Sequence, residues 1–265
     1  MAGLAEAGAA PDAAAAPEAG AAPGAEAGGP CGGEAPEAIT AQVRDELRSR
    51  AEPALASFNA KIIPTLPPER ILGVRMPVLH KMAKRLLAAP EGQAEAYLAA
   101  QPHFYLEENE LHGLLLNDER DYPAALRKLE DFLPQVDNWA VCDLLKPAAF
   151  ADRPDGLEEQ AFAWMADGHA YTRRFGVSVL MNFFLDDGFD ARQLDAAAAL
   201  PQGDYYADMM VAWYFAEALA RRWDDAIPYL EGRRLPPDTH AKAIQKARES
   251  RRISPEQKDY LRSLR

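Results

Sequence analysis

The sequence predicts an all-α protein, on three observations. Apolar residues recur at helical spacing in one segment after another along the 265 residues. Each segment is short and closes at Pro, Gly, Asn or Asp. Strand-like alternation of polar and apolar residues between turn signals is missing. The first 37 residues are a different material, built mainly from Ala, Gly, Pro and acids, with no Lys, Arg or aromatic residue. Such a stretch buries too little apolar surface to offset the entropy of ordering, so 1–37 is expected to be a disordered tail. It lacks the basic start and unbroken apolar run of a signal peptide. Residues 38–265 are expected to form a single helical-repeat domain.

The elements follow in order. ITAQVRDELRSRAEPALASFNAKI (39–62) carries apolar residues at helical spacing and ends before the turn-rich TLPPER. MPVLHKMAKRLLA follows, with Pro77 near the helix start, where its missing N–H costs least. Next come EGQAEAYLAAQ, HFYLEENELHGLLLN, YPAALRKLEDFLPQ, NWAVCDLLKPAAF and GLEEQAFAWMADG. The second half reads AYTRRFGVSVLMNFFLD, DARQLDAAAAL, DYYADMMVAWYFAEALARR, WDDAIPYLEG, PPDTHAKAIQKARES and SPEQKDYLRSLR. About a dozen helices result. Short antiparallel helices joined by short loops suggest an α-solenoid of loose, HEAT-like repeats with a concave face, since no crisp sequence repeat is visible. A helical bundle is the competing architecture.

Charge bounds the partners. The net charge is −12, and removing the tail's six acids leaves 35 acids against 29 bases. An acidic body argues against a nucleic-acid partner. The charge is uneven, however: from Glu231 to Arg265 ten Lys/Arg face five acids. A local basic surface of that kind binds phosphate even on an acidic protein, with modest and salt-sensitive affinity. The two cysteines, Cys31 and Cys142, and the five scattered histidines form no metal-ligand spacing, so no metal and no cofactor is expected. A reduced, cytoplasmic setting fits this cysteine usage. No segment has the apolar length to cross a membrane.

Four residues carry the functional signal. Trp139 and Asp143 lie four apart in DNWAVCDLL, which puts an indole and a carboxylate on one helix face. Arg174 sits in YTRRFGV and Trp213 in DYYADMMVAWYFAEAL. Two aromatic plates, an acid and an arginine suit the holding of a sugar–phosphate while the bond to its base is cut.

Together with ILGVRMPVLHKMAKRL and the ending HAKAIQKARESRRISPEQKDYLRSLR, these phrases resemble the AlkD-like DNA alkylation repair proteins, in order over residues 40–265. The resemblance implies a HEAT-like repeat fold whose concave face holds double-stranded DNA. It also implies a monomeric DNA glycosylase removing positively charged N3- and N7-alkylated purines. The family's motif lands on Trp139, Asp143, Arg174 and Trp213 as catalytic residues, with Arg174 gripping a flanking phosphate. The aromatic pair before the later tryptophan lands on Tyr205 and Tyr206. With Arg173, Lys242, Lys246 and Arg251 these are the expected DNA contacts. The family works from the sugar–phosphate side, so no snug base pocket is expected. Two positions where the family carries basic side chains are Asn182 and Ala216 here, and the aromatic expected ahead of GVRMP is not evident in KIIPTLPPER.

Plainer readings stand beside these. Either tryptophan could be a core plug. Asp143 could be a surface acid or a helix cap. Arg174 could pair structurally with Glu217 or with Asp143. Glu217 reads first as a structural partner and second as another carboxylate at the site. Tyr205 and Tyr206 could pack at a helix start, and KARESRR could be a solvated face. The corresponding functional alternative is a non-catalytic helical-repeat module that binds nucleic acid or protein.

Overall fold

The computed structural model describes residues 36–90 and 92–265. The expected tail therefore lies, up to residue 35 and including Cys31, outside the described residues. Among the described residues there are fourteen α-helices and no strand. The first seven are α1 (Pro36–Ser49), α2 (Pro53–Ile62), α3 (Met76–Leu87), α4 (Gln93–Ala99), α5 (Leu106–Asn117), α6 (Tyr122–Phe132) and α7 (Trp139–Leu144). The rest are α8 (Leu157–Met165), α9 (Ala170–Phe183), α10 (Ala191–Ala198), α11 (Tyr205–Arg221), α12 (Trp223–Glu231), α13 (Pro237–Glu249) and α14 (Pro255–Ser263).

Two boundaries differ from the sequence expectation. Helix α1 starts at Pro36, inside the stretch assigned to the tail. The continuous segment 39–62 is two helices, because Pro53 has no N–H to donate and its ring drives Glu52 into extended backbone (φ −117°, ψ 106°). Elsewhere polar residues between the segments open the following helix. Asp121, Asn138, Asp190, Asp204 and Ser254 each accept a backbone N–H of the turn they open. Ser254 and Gln257 complete a capping box at α14.

Packing follows a row. Helix α3 lies on α5, α5 on α7, α7 on α9, α9 on α11 and α11 on α13. The intervening helices attach alongside: α4 on α1, α3 and α5, α6 on α5, α8 on α9, and α10 and α12 on α11. Close approach in this row depends on small residues. At Gly176 of α9 a Cβ would sit 2.7 Å from the Ala161 carbonyl oxygen and 2.8 Å from the Met165 nitrogen of α8. The cores of α9 and α11 are nearly all apolar, with Phe175, Leu180, Met210, Tyr214 and Phe215 fully covered.

Helix α5 is buried almost all round. Every residue from Leu106 to Leu116 is buried except Glu110. Two of its acids are consequently internal, and each is matched by donors. Glu107 accepts the backbone N–H groups of Leu72 (3.0 Å), Gly73 (2.6 Å) and Val74 (3.3 Å). Glu108 accepts those of Phe104 and Tyr105 and the Arg44 Nε–H at 2.8 Å. The first set anchors the GVRMP turn onto α5. Gly73 holds φ +79°, and a Cβ there would lie 2.4 Å from the Ala56 nitrogen. Gly73→Ala is therefore expected to cost about 2–3 kcal/mol of stability, from backbone strain and steric displacement of α2. Urea unfolding of the variant against the wild type measures it.

Candidate active site

Helix α7 is only six residues long, and the Asn138 cap fixes where it begins. Its side-chain carbonyl accepts the Val141 N–H at 3.0 Å, which sets Trp139 as the first helical residue. The Trp139 indole N–H then donates to the Ile62 carbonyl at the end of α2, at 2.9 Å. That carbonyl belongs to the last turn of α2, which leaves it without an intrahelical donor. The bond orients the ring, which is half-buried and packs against the core instead of plugging it.

One turn on, Asp143 meets Arg174 of α9. The guanidinium donates through Nε to Oδ1 and through a terminal nitrogen to Oδ2, both at 2.7 Å. Its other terminal nitrogen donates to the Tyr206 carbonyl of α11 at 2.6 Å. The Arg174 side chain is 7% exposed and the Asp143 side chain 19%. Burial disfavours the arginine's charge, but the hydrogen bonds and negative charge of Asp143 outweigh it and raise its pKa above the ordinary value. The two-pronged edge of Arg174 faces Asp143, the pairing that the sequence left open beside Glu217.

The row of helices continues the chain of contacts. Tyr206 stands two turns before Trp213 on α11, and Tyr171 of α9 lies beside its ring at a centroid distance of 5.7 Å. Trp213 is half-buried, with the Lys246 ammonium of α13 5.7 Å from its ring. The structure therefore pairs Asp143 with Arg174 and sets Trp139 beside Asp143 on one cavity wall, while Trp213 lies two turns along α11 from the Tyr206 carbonyl that Arg174 holds. Tyr205 turns elsewhere: it is 63% exposed and lines a cleft with Lys242 between α11 and α13. Arg251 is exposed and makes no ion pair with the described residues. Arg173 donates to the Asp167 and Gly168 carbonyls ahead of α9.

The remaining candidates resolve structurally. Glu217 pairs with Arg221 and Arg252, which fits its reading as a structural partner and removes Arg252 from the free basic surface. Asn182 folds back onto the Ser178 carbonyl (2.7 Å) and hydroxyl (2.9 Å) of its own helix. Ala216 is buried. Cys142 is buried, free and close to the Tyr171 carbonyl, and burial pushes its thiol pKa up.

An open cavity of about 590 Å³ adjoins the acid, lined by α2, the GVRMP turn, α5 and α7 and including Trp139 and Asp143. The sequence expectation concerned a snug base pocket, and this cavity is open. The reason lies in α2, none of whose residues is fully buried, so that it forms an outer wall instead of filling the space. Glu110 of α5 lines the same cavity, and burial together with the nearby Glu107 charge pushes its carboxyl up to about 8. Sequence reasoning missed Glu110. The available signal was three acids within four residues of a helix too apolar to have a solvated face.

The sequence model of the DNA alkylation repair enzyme family matches residues 43–202. The chain belongs to that family, which places it in DNA alkylation repair. The matched span holds Trp139, Asp143, Arg174 and Glu110, and ends before α11. Comparison with curated proteins returns no match. No helix among the described residues is long and apolar enough to cross a membrane.

Arg174→Ala leaves Asp143 uncompensated in a largely buried setting and is expected to cost about 3 kcal/mol of stability. Asp143→Ala in the same chain should restore part of that loss. Chemical denaturation of both single variants and the double variant measures the coupling.

Proposed function

We propose that the protein is a DNA glycosylase that excises positively charged N3- and N7-alkylated purines from duplex DNA. The observation that carries this reading is the acid of α7, held by both oxygens yet bordering an open cavity beside an indole. A 7-alkylguanine already carries positive charge and leaves without prior protonation. As the bond from the sugar to the base breaks, its electron pair goes to the base and the sugar becomes an oxocarbenium ion. The Asp143 carboxylate stabilises that charge and orients the water that adds to it, whose proton passes to solvent. The products are the neutral alkylated base and an abasic site. Trp139 and Trp213 present quadrupole faces to the cationic sugar, worth roughly 0.5–2 kcal/mol each. Arg174 keeps the acid in register instead of touching the backbone.

The row from α3 to α13 supports a HEAT-like solenoid whose inner face cradles the duplex, since each of α7, α9, α11 and α13 brings a side chain to the same line of contacts. Tyr205, Tyr206, Arg173, Lys242, Lys246 and Arg251 are the proposed DNA contacts. A monomeric, cofactor-free cytoplasmic protein, with 38–265 as one domain, completes the proposal.

Purified protein incubated with duplex DNA containing 7-methylguanine should generate abasic sites, and Asp143→Asn should lower the rate at least about 100-fold. Absence of release at high enzyme excess rejects the activity. Replacing Lys242 and Lys246 by Ala should lower the slope of log affinity against log salt by about one each. The second reading, a non-catalytic binding module, is favoured by the inward-folded Asn182 and the pairing of Arg252. It predicts duplex binding with no base release and no effect of Asp143→Asn on alkylation survival.

A further inference from the structure

The duplex contacts proposed above leave part of the basic C-terminal surface unused. Within it Arg234, Arg252 and Arg262 pair with Asp195, Glu217 and Asp259. Arg248 and Arg265 form no ion pair or side-chain hydrogen bond among the described residues. Both line one cleft of about 400 Å³ on α13, together with Ile244, Gln245 and Glu249. The Nε–H of Arg248 is covered by protein and has no acceptor. A donor taken out of water without a partner costs free energy, and an acceptor in this cleft would offset it.

Tertiary contacts assemble the cleft. Helix α14 packs on α13 with Leu261 fully buried, and His240 of α13 donates its Nε2–H to the Leu264 carbonyl at 2.9 Å. That bond fastens the chain next to Arg265 on the helix that carries Arg248. The acid in the cleft is already engaged: Glu249 accepts the Gln245 amide at 3.1 Å, one turn back on the same face. Two guanidiniums against one carboxylate leave the cleft positive. Its direction separates it from the proposed duplex line. Lys246, whose ammonium stands by the Trp213 ring, and Arg248 are two residues apart, about 200° around α13. The two side chains therefore leave the helix on nearly opposite sides.

We propose that this cleft binds a small phosphate species, a phosphomonoester or inorganic phosphate, at a site separate from the DNA cradle. The guanidinium forks of Arg248 and Arg265 supply charge-assisted donors whose spacing matches phosphate oxygens. The cleft is larger than one tetrahedral anion fills, and it leaves room beside Ile244 for the carbon groups of an ester. Attraction at so exposed a site is screened by salt, so binding is strongest at low ionic strength. The inference stands apart from the glycosylase reading, because it involves none of the residues given to catalysis or to the duplex.

The test is calorimetric titration of the full-length protein at low ionic strength with glycerol 3-phosphate, inorganic phosphate and, as neutral control, glycerol. The phosphates should bind and glycerol should not. Tighter binding of the ester identifies a phosphomonoester as the occupant, and equal binding identifies free phosphate. Arg248→Gln should weaken phosphate binding at least about tenfold while leaving duplex affinity and its salt dependence unchanged. Glu249→Gln should tighten it severalfold by removing the negative charge in the cleft. Replacing Lys242 and Lys246 by Ala should leave it unchanged. No phosphate binding by the wild type, or no tightening in Glu249→Gln, overturns the proposal, and neither result depends on an Arg248 variant that folds. Loss of phosphate binding with the two lysines, or equal weakening of phosphate and duplex by Arg248→Gln, assigns the anion to the DNA surface and overturns it as well. Phosphate binding in a protein that releases no 7-methylguanine overturns the glycosylase reading alone. Base release without phosphate binding overturns the cleft proposal alone.

Discussion

The bidentate pair between Asp143 and Arg174 is the interaction on which the candidate site depends. It ties α7 to α9, and the third contact of Arg174, on the Tyr206 carbonyl, extends the tie to α11. Short α7 is seated by Val141 and Cys142 in the core, and its orientation is further fixed by this pair, the Asn138 cap and the indole bond to α2. Holding two charges at low exposure is costly, and the cost is met by saturating both oxygens of the acid with well-placed donors. The same arrangement leaves Asp143 with a fixed direction, the property that a group meant to stabilise transient positive charge requires.

A second constraint is the burial of α5. Helices with no solvated face are usually apolar, yet this one carries Glu107, Glu108 and Glu110. Two of them serve as internal anchors, one for the GVRMP turn and one for the entry to α5 itself. The third is left facing a cavity. Because Glu107 fixes the turn, it also fixes the position of Arg75 and Met76 on the cavity wall. The site is therefore built from two sides: a turn fastened by one buried acid, and a short helix fastened by one buried arginine.

Much of the helical pattern was legible in the sequence because capping and proline chemistry act locally. Asp204 ahead of Tyr205, Asn138 ahead of Trp139 and Ser254 with Gln257 behave as their positions imply. The break at Glu52 was equally local, and apolar periodicity running through it concealed it. The partner of Arg174 was narrowed to Asp143 or Glu217, since both stand at helical positions able to face it. Only packing could choose between them, and Glu217 turns instead to Arg221 and Arg252.

The sequence by itself determined the helices, the caps that place Trp139 and Tyr205 at helix starts, and the spacing that puts Trp139 and Asp143 on one face. Those features arise from hydrogen bonds and side-chain directions within a few residues. Tertiary structure alone decided that Arg174 pairs with Asp143 instead of Glu217, that Tyr205 looks into a different cleft from Trp139, and that Glu110 stands unpaired at a cavity. Each of these depends on which helix lies across the row, and a choice among partners tens of residues away is made by shape and burial rather than by local chemistry.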